Sequence, residues 1–337
     1  MTLVEKLSET GLRRSGSPKA GFRYRRSDGR SASRADLERI KALRIPPAWK
    51  DVLIHPSPGG SVQAMGKDVA GRWQYLYHER RAARREKEKF ERLVHFAQAL
   101  PKMRRAVARD LALSGLPREK VLACVLRILS TCFLRAGSQV YADENGSYGI
   151  ATLRTKHVTV RGDLIVFDFP GKSGKQQHRE LRDRRVAHIV RELVRAPGEV
   201  FKFRDEDGRW VDIRRRHINE YIKEVMGEKF SAKDFRTWAG TLICACALAR
   251  TGTEVAETKT ARKRRVVAAI KETADTLGNT PAICRSSYIY PAVLSSFDRG
   301  RVIDRYFGNV EELVARRAPG LHGSEKALLS LLKQKAS

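Results

Sequence analysis

The chain has 337 residues, 42% of them hydrophobic, with 67 lysines and arginines against 38 aspartates and glutamates, a formal net charge of +29. That length and apolar content allow roughly two domains with real cores, and the positive excess points to a polyanion, nucleic acid ahead of an anionic membrane surface, because neutralised phosphates release counterions. No apolar run reaches the roughly 18 residues of a membrane span, and the opening "MTLVEKLSETGLRRSG" has an early acid and no apolar signal core, so neither anchor nor secretion signal is expected.

Residues 1–19 read as a loose basic arm, at the head of a stretch rich in Arg, Ser and Gly. "GFRYRRSDGR" alternates around an Asp28-Gly29 turn, which predicts a short hairpin. Asp36 is the expected N-cap of a helix over "LERIKALR", ended by Pro46-Pro47. "DVLIHP", "SVQAMG" and "RWQYLYH" read as strands divided by Pro and Gly turns, giving a β-rich unit over 20–78. From Arg80 a charged helix with an apolar stripe through Phe90, Leu93 and Phe96 forms a link over 79–98.

The remainder, 99–337, reads as mainly helical, with helices near 101–114 and 117–135. Within it "KHVTVRGDLIVFDFPGKSGKQQHREL" alternates as a three-stranded meander, turning at Arg161-Gly162-Asp163 and at Pro170–Lys175, and Asp207-Gly208 marks a further hairpin. The expected fold class is therefore α+β: a small β-rich N-terminal domain followed by a mainly α domain carrying a small three-stranded sheet.

Several chemistries are disfavoured by the residues themselves. The five cysteines, Cys124, Cys132, Cys244, Cys246 and Cys284, form no C-x-x-C pair, and buried thiols in a reducing compartment are expected. "GKSGK" lacks the first glycine of a phosphate loop, Val166 standing there, and it joins two strands where a phosphate loop opens a helix. The acidic cluster "ADEN" lacks the D-x-D spacing of a magnesium site, and "RDEDGR", although Asp205 and Asp207 stand at that spacing, ends in Asp-Gly and reads most simply as a turn. We expect no metal, no nucleotide and no other cofactor.

"CRSSYIYPAVL" holds two tyrosines, Tyr288 and Tyr290. Thr280 as N-cap and Pro281 as first residue predict a helix to about Tyr290, broken by Pro291. On that helix Ile283 and Tyr290 share a face expected to be buried, which leaves Tyr288, about 200° away, as the free phenol. A phenol attacking a phosphodiester needs arginines to hold the two non-bridging oxygens and a lysine to protonate the departing hydroxyl.

"FLRAGSQVYADENGSYGIATLRTKHV", "FDFPGKSGK", "KDFRTWAGT" and "LGNTPAICRSSY" occur in that order, and the chain so resembles the small type IB DNA topoisomerases of bacteria and poxviruses. "RIPPAWKDVLI" and "GRWQYLYH" are similar to the N-terminal domain of the bacterial members, so the resemblance covers about residues 20–320. It implies a DNA breaking-rejoining fold like that of the tyrosine recombinases. Tyr288 is then the nucleophile that forms a 3′-phosphotyrosyl link, with Arg135, at the end of an apolar helix, and Arg236 as phosphate clamps. Lys172 on the hairpin tip is the proton donor, and Lys233, one helical turn before Arg236, assists. Asn279 stands where many members carry histidine; its amide can donate a hydrogen bond but carries no charge, and a helix C-cap is the alternative reading.

The resemblance further implies a cytoplasmic, nucleoid-associated monomer that clamps double-stranded DNA. Gln74, Tyr75 and Tyr77 are candidate groove contacts, although Tyr75 and Tyr77 share a strand face that could equally be a buried aromatic one. Tyr141 matches another contact, but Ser138 and Val140 replace the lysines that flank it in the poxvirus members, so mostly phosphate contacts and low sequence specificity are expected. Arg80, Arg81 and Arg84 on the linking helix either line DNA or are simply solvated. A tyrosine recombinase and a non-enzymatic DNA-coating protein are the competing readings.

Overall fold

A computed structural model of the chain describes residues 2–69, 71–252, 258–315 and 318–334. Its contacts divide it into two units, Met1–Lys89 and Phe90–Ser337.

The first unit opens with α1 (Leu3–Thr10), β1 (Leu12–Ser17), β2 (Gly21–Arg26) and α2 (Arg34–Ala42), and continues with β3 (Lys50–Ile54), β4 (Val62–Lys67) and β5 (Trp73–Tyr77). The strands form one antiparallel sheet in the order β2-β1-β3-β4-β5. Alternation assigns its two faces. Leu12, Val52, Ile54 and Ala64 pack with Ile40 of α2, whereas Leu53 and Met65 pack with Leu7 of α1.

Three local expectations are corrected here. Where a loose arm is expected over 1–19, α1 forms because Thr2 and Glu5 cap each other (2.7 and 3.3 Å) and Leu7 is buried, and β1 follows with Leu12 opposite Ile54. The main partner of β2 is therefore β1, and the Asp28-Gly29 turn closes only a single bridge, Arg25 to Ser31. Ser33, not Asp36, caps α2; the Asp36 carboxylate accepts the Ser33 N–H and hydroxyl at 3.2 and 2.8 Å, reaching back from the third helical position.

Helix α3 (Glu79–Asp110) runs without interruption through Pro101, where two helices are expected. Burial of Leu93, Phe96, Leu100, Met103 and Val107 along it offsets the roughly 3 kcal/mol that an interior proline costs.

The second unit continues with α4 (Arg118–Cys132) and α5 (Gln139–Asn145), then the meander β6 (Val158–Arg161), β7 (Leu164–Pro170) and β8 (Gln176–Arg182), and α6 (Arg184–Leu193). The hairpin β9 (Lys202–Arg204) and β10 (Trp210–Asp212) follows, turning at Asp207-Gly208 as expected. The rest is helical: α7 (Arg215–Met226), α8 (Ala232–Thr251), α9 (Lys259–Leu277), α10 (Pro281–Ser287), α11 (Pro291–Asp298), α12 (Val310–Ala315) and α13 (Gly323–Lys333). The α+β class is as expected. Helix α8 is the axis of this unit: Phe235 to Ala249 are buried without interruption, so it is surrounded on all sides. Glu325 of α13, only 2% exposed, takes two hydrogen bonds from Arg104 (2.7 and 3.0 Å) and one from Trp238 Nε1 (3.4 Å), joining α13 to α3 and α8. All five cysteines are buried thiols. Among the described residues no helix is long and apolar enough to cross a membrane.

Candidate active site

Helix α4 stops at Cys132 because Phe133 turns left-handed (φ 54°, ψ 30°), a conformation that costs a side-chain-bearing residue about 1–2 kcal/mol. The turn frees the Phe133 carbonyl to accept from Arg236 Nη1. It also places Arg135 on the following loop, not at the end of the helix as expected. The loop is tied down by Ile150 N–H on Arg135 O and Ala151 N–H on Ala136 O, both 2.9 Å. Gly149 makes this approach possible, since a Cβ there would lie 2.7 Å from Arg135 O and 2.5 Å from Gly137 Cα.

Arg236 comes from the second turn of α8, whose start is fixed by the Asp234 carboxylate accepting the Ser231 N–H and hydroxyl, each at 2.9 Å. Arg92 pairs with the same carboxylate at 3.0 Å. Arg236 is 4% exposed, and its second terminal nitrogen donates to Leu277 O at 2.9 Å, while Nε is buried with no partner. Lys233, one turn earlier, is exposed.

Leu277 ends α9, and Gly278 (φ 62°) turns the chain so that Asn279 N–H closes on Ala274 O at 2.8 Å. The capping is thus a main-chain matter, and the Asn279 side chain is left for the site. Its Oδ1 accepts from Arg135 Nη2, and its Nδ2 is a buried donor without a partner.

Helix α10 is shorter than expected. It ends at Ser287, and Tyr288 is its C-cap, N–H on Cys284 O at 2.9 Å. The face argument for the two tyrosines is corrected accordingly: Ile283 is 49% exposed, Ile289 is the fully buried residue, and Tyr290 is half-buried, stacked on Phe90 with ring centroids 4.5 Å apart. The main chain on both sides of Ile289 is pinned to α8 by one hydroxyl. Thr241 Oγ1 lies 3.1 Å from Tyr288 O and accepts Tyr290 N–H at 3.1 Å. The Tyr288 ring sits under Arg236, whose Cζ is 5.0 Å from the ring centroid.

The structure therefore brings Arg135, Arg236, Asn279 and Tyr288 together, from four separate segments. Burial alone raises the Tyr288 phenol's pKa, but Arg236 (by charge and hydrogen bonding), Arg135 and Lys233 outweigh it, and the net shift is downward. Arg135 is pulled down to about 10, first by burial and then by the charge of Arg236, with Tyr288 opposing and Arg179 adding to the fall; it remains charged at neutral pH. Arg179, on β8, is a residue that sequence reasoning missed. Its pKa is lowered by burial and by Arg236, with Cys132 opposing, and its Nε is also a buried donor without a partner. Among the described residues no carboxylate pairs with Arg135, Arg179 or Arg236. Buried cations are ordinarily paired, so Arg135 and Arg236, with the orphaned donors of Arg236 and Asn279, fit an anion with several oxygens.

Lys172 lies outside these contacts, exposed at the tip between β7 and β8. On the first unit Tyr75 and Tyr77 are exposed, at 40% and 37%, with ring centroids 6.2 Å apart, which removes the buried-face reading. Gln74 is half-buried and donates to Asp68 Oδ2 at 2.9 Å. Arg80 and Arg81 are exposed, Arg81 over the Tyr77 ring, and Arg84 pairs with Glu88 at 2.8 Å. Tyr141 on α5 is exposed next to the more exposed Val140.

Comparison with known proteins identifies the family. The family described as "Eukaryotic DNA topoisomerase I, catalytic core" matches residues 78–297, and "Bacterial DNA topoisomerase IB, N-terminal domain" matches 21–68. DNA topoisomerase 1B of Acanthamoeba polyphaga mimivirus is 34% identical over 86% of this chain and 88% of its own length. DNA topoisomerase I of Monkeypox virus is 23% identical over 76% of this chain and 80% of its own, and DNA topoisomerase 1 of Drosophila melanogaster is 26% identical over 66% and 23%. On the two matched domains and the mimivirus relative, the chain belongs to the type IB DNA topoisomerases.

Proposed function

We propose that this protein relaxes positive and negative supercoils by cutting one strand of duplex DNA through Tyr288 and resealing it, without ATP or a metal ion. The Tyr288 oxygen attacks the scissile phosphorus, the phenol proton passes to water, and the bond to the 5′ oxygen breaks. Arg135 and Arg236 take the non-bridging oxygens, the Asn279 amide donates a further hydrogen bond, and the Lys172 ammonium protonates the departing 5′-hydroxyl, with Lys233 adding positive charge. The 3′-phosphotyrosyl link conserves the energy of the broken phosphodiester, so torque drives rotation of the free end and the 5′-hydroxyl then reverses the attack. The guanidiniums supply the charge that a divalent ion supplies elsewhere.

The observation that carries the reading is the half-buried phenol beneath a buried guanidinium that has no carboxylate partner, with unpartnered donors on Arg236 and Asn279. Exposed Tyr75, Tyr77 and Tyr141, with the charge of +29, support a grip on duplex DNA made mostly through phosphates. The test is to denature a reaction on end-labelled duplex and map the adduct. A Tyr288 peptide on a 3′-phosphate with a free 5′-hydroxyl supports the reading; attachment to a 5′-phosphate or to another residue overturns it.

A further inference from the structure

Two side chains of β8 stand on the carbonyl end of α9. Gln177 and Arg179 are two residues apart and so share a face of the strand. Arg179 donates to Thr276 O at 2.9 Å and to His178 O at 2.6 Å. Gln177 packs on Gly278, where a Cβ would fall 2.5 Å from its Oε1. The neighbouring carbonyl, Leu277 O, is the one that Arg236 holds at 2.9 Å. Arg179 and Arg236 thus grip successive carbonyls just before the turn that presents Asn279.

The same strand leads to Lys172. Strands β7 and β8 pair without a break from Leu164 opposite Arg182 to Pro170 opposite Gln176, and Gly171 N–H closes the tip on Lys175 O at 2.8 Å. An unbroken ladder therefore joins the Arg179 anchor to the tip. We propose that Arg179 is a positioning residue for Lys172: by tying β8 to the end of α9, it sets where the hairpin tip delivers its ammonium relative to a phosphate bound beside Asn279. This rests on the reading of Lys172 as proton donor. In that step the Tyr288 oxygen–phosphorus bond forms, the phosphorus–5′ oxygen bond breaks, and the 5′ oxygen takes a proton from Lys172, which is left neutral.

A 5′-bridging sulfur separates the possibilities, because a thiolate leaves without a proton. Single-turnover cleavage is measured on matched oxygen and sulfur duplexes for the parent protein, Lys172→Ala, Arg179→Ala and Arg179→Lys. If Lys172→Ala is slow on oxygen but close to the parent on sulfur, the proton-donor reading stands; if sulfur does not restore it, that reading and this proposal both fail. With Lys172 established, Arg179→Ala is expected to lose about 100-fold on oxygen, the effect of a misplacement of about 1 Å, and less than about fivefold on sulfur by the same reasoning. Arg179→Lys keeps a donor for Thr276 O and should recover most of the oxygen rate. An equal loss on both substrates, as a direct phosphate contact would give, overturns the proposal, and so does no loss on oxygen. Thermal unfolding accompanies each variant; should Arg179→Ala fail to fold, the oxygen-to-sulfur ratio of Arg179→Lys decides, an unchanged ratio with slowed cleavage counting against the proposal.

Discussion

Gly240→Ala tests how the nucleophile is held. Gly240 lies inside α8, and a Cβ there would come within 2.9 Å of Tyr288 O and 3.0 Å of Tyr288 Cβ, where ordinary contact begins at 3.4 Å. The obstacle is main chain, so Tyr288 must move by about half an ångström. Alanine in a helix interior is worth about 0.5–1 kcal/mol over glycine, and overpacking costs about 1–3 kcal/mol, so the net loss of stability is about 0–2.5 kcal/mol. Catalysis suffers more: a misplacement of 1 Å costs about 100-fold, so half of that costs about tenfold in cleavage rate. Single-turnover cleavage on a substrate whose downstream fragment, bearing the 5′-hydroxyl, dissociates, run beside chemical denaturation and DNA binding, reads the three effects separately. A variant with parent stability and parent cleavage rate would refute the claim that Tyr288 packs directly on α8.

Asn279→His should retain relaxation, and Asn279→Ala should slow cleavage about 100-fold, the usual effect of losing one preorganised donor; an inactive, folded Asn279→His would remove Asn279 from the site. The lowered Tyr288 pKa predicts that cleavage rises with pH and levels off below the ordinary tyrosine value of about 10. Arg236 favours the phenolate, so Arg236→Ala should move that plateau upward in pH as well as lowering it, and a profile of unchanged midpoint contradicts the assignment. Glu325→Ala leaves Arg104 without its carboxylate in a largely buried place and should cost about 3–5 kcal/mol, read by denaturant unfolding; a change under about 1 kcal/mol, as for a surface pair, would show that α13 is not anchored there.

The elements were legible in most places where turn chemistry and alternation agree, the Asp28-Gly29 turn being an exception. The meander β6–β8 and the hairpin at Asp207-Gly208 stand where the glycine turns place them. The misreadings occur where burial overrides local signals, as at Pro101 inside α3 and at Leu7 and Leu12 within a stretch of arginine and serine. The face argument that separates Tyr288 from Tyr290 is replaced by the structure: Tyr290 is held by Phe90, far away in the chain, and not by a stripe shared with Ile283. Arg179 could not have been found, because its partner Thr276 is 97 residues distant and nothing local separates it from any other arginine on a strand. The left-handed Phe133, which moves Arg135 off the helix and offers Arg236 a carbonyl, carries no glycine or asparagine to announce it.

The most direct test of the account is relaxation of supercoiled plasmid in EDTA without ATP, comparing the parent protein with Tyr288→Phe and Tyr290→Phe. The account predicts that the parent and Tyr290→Phe relax the plasmid and that Tyr288→Phe binds DNA but relaxes none. Relaxation by Tyr288→Phe, or a parent protein inactive until magnesium or nucleotide is added, would contradict it.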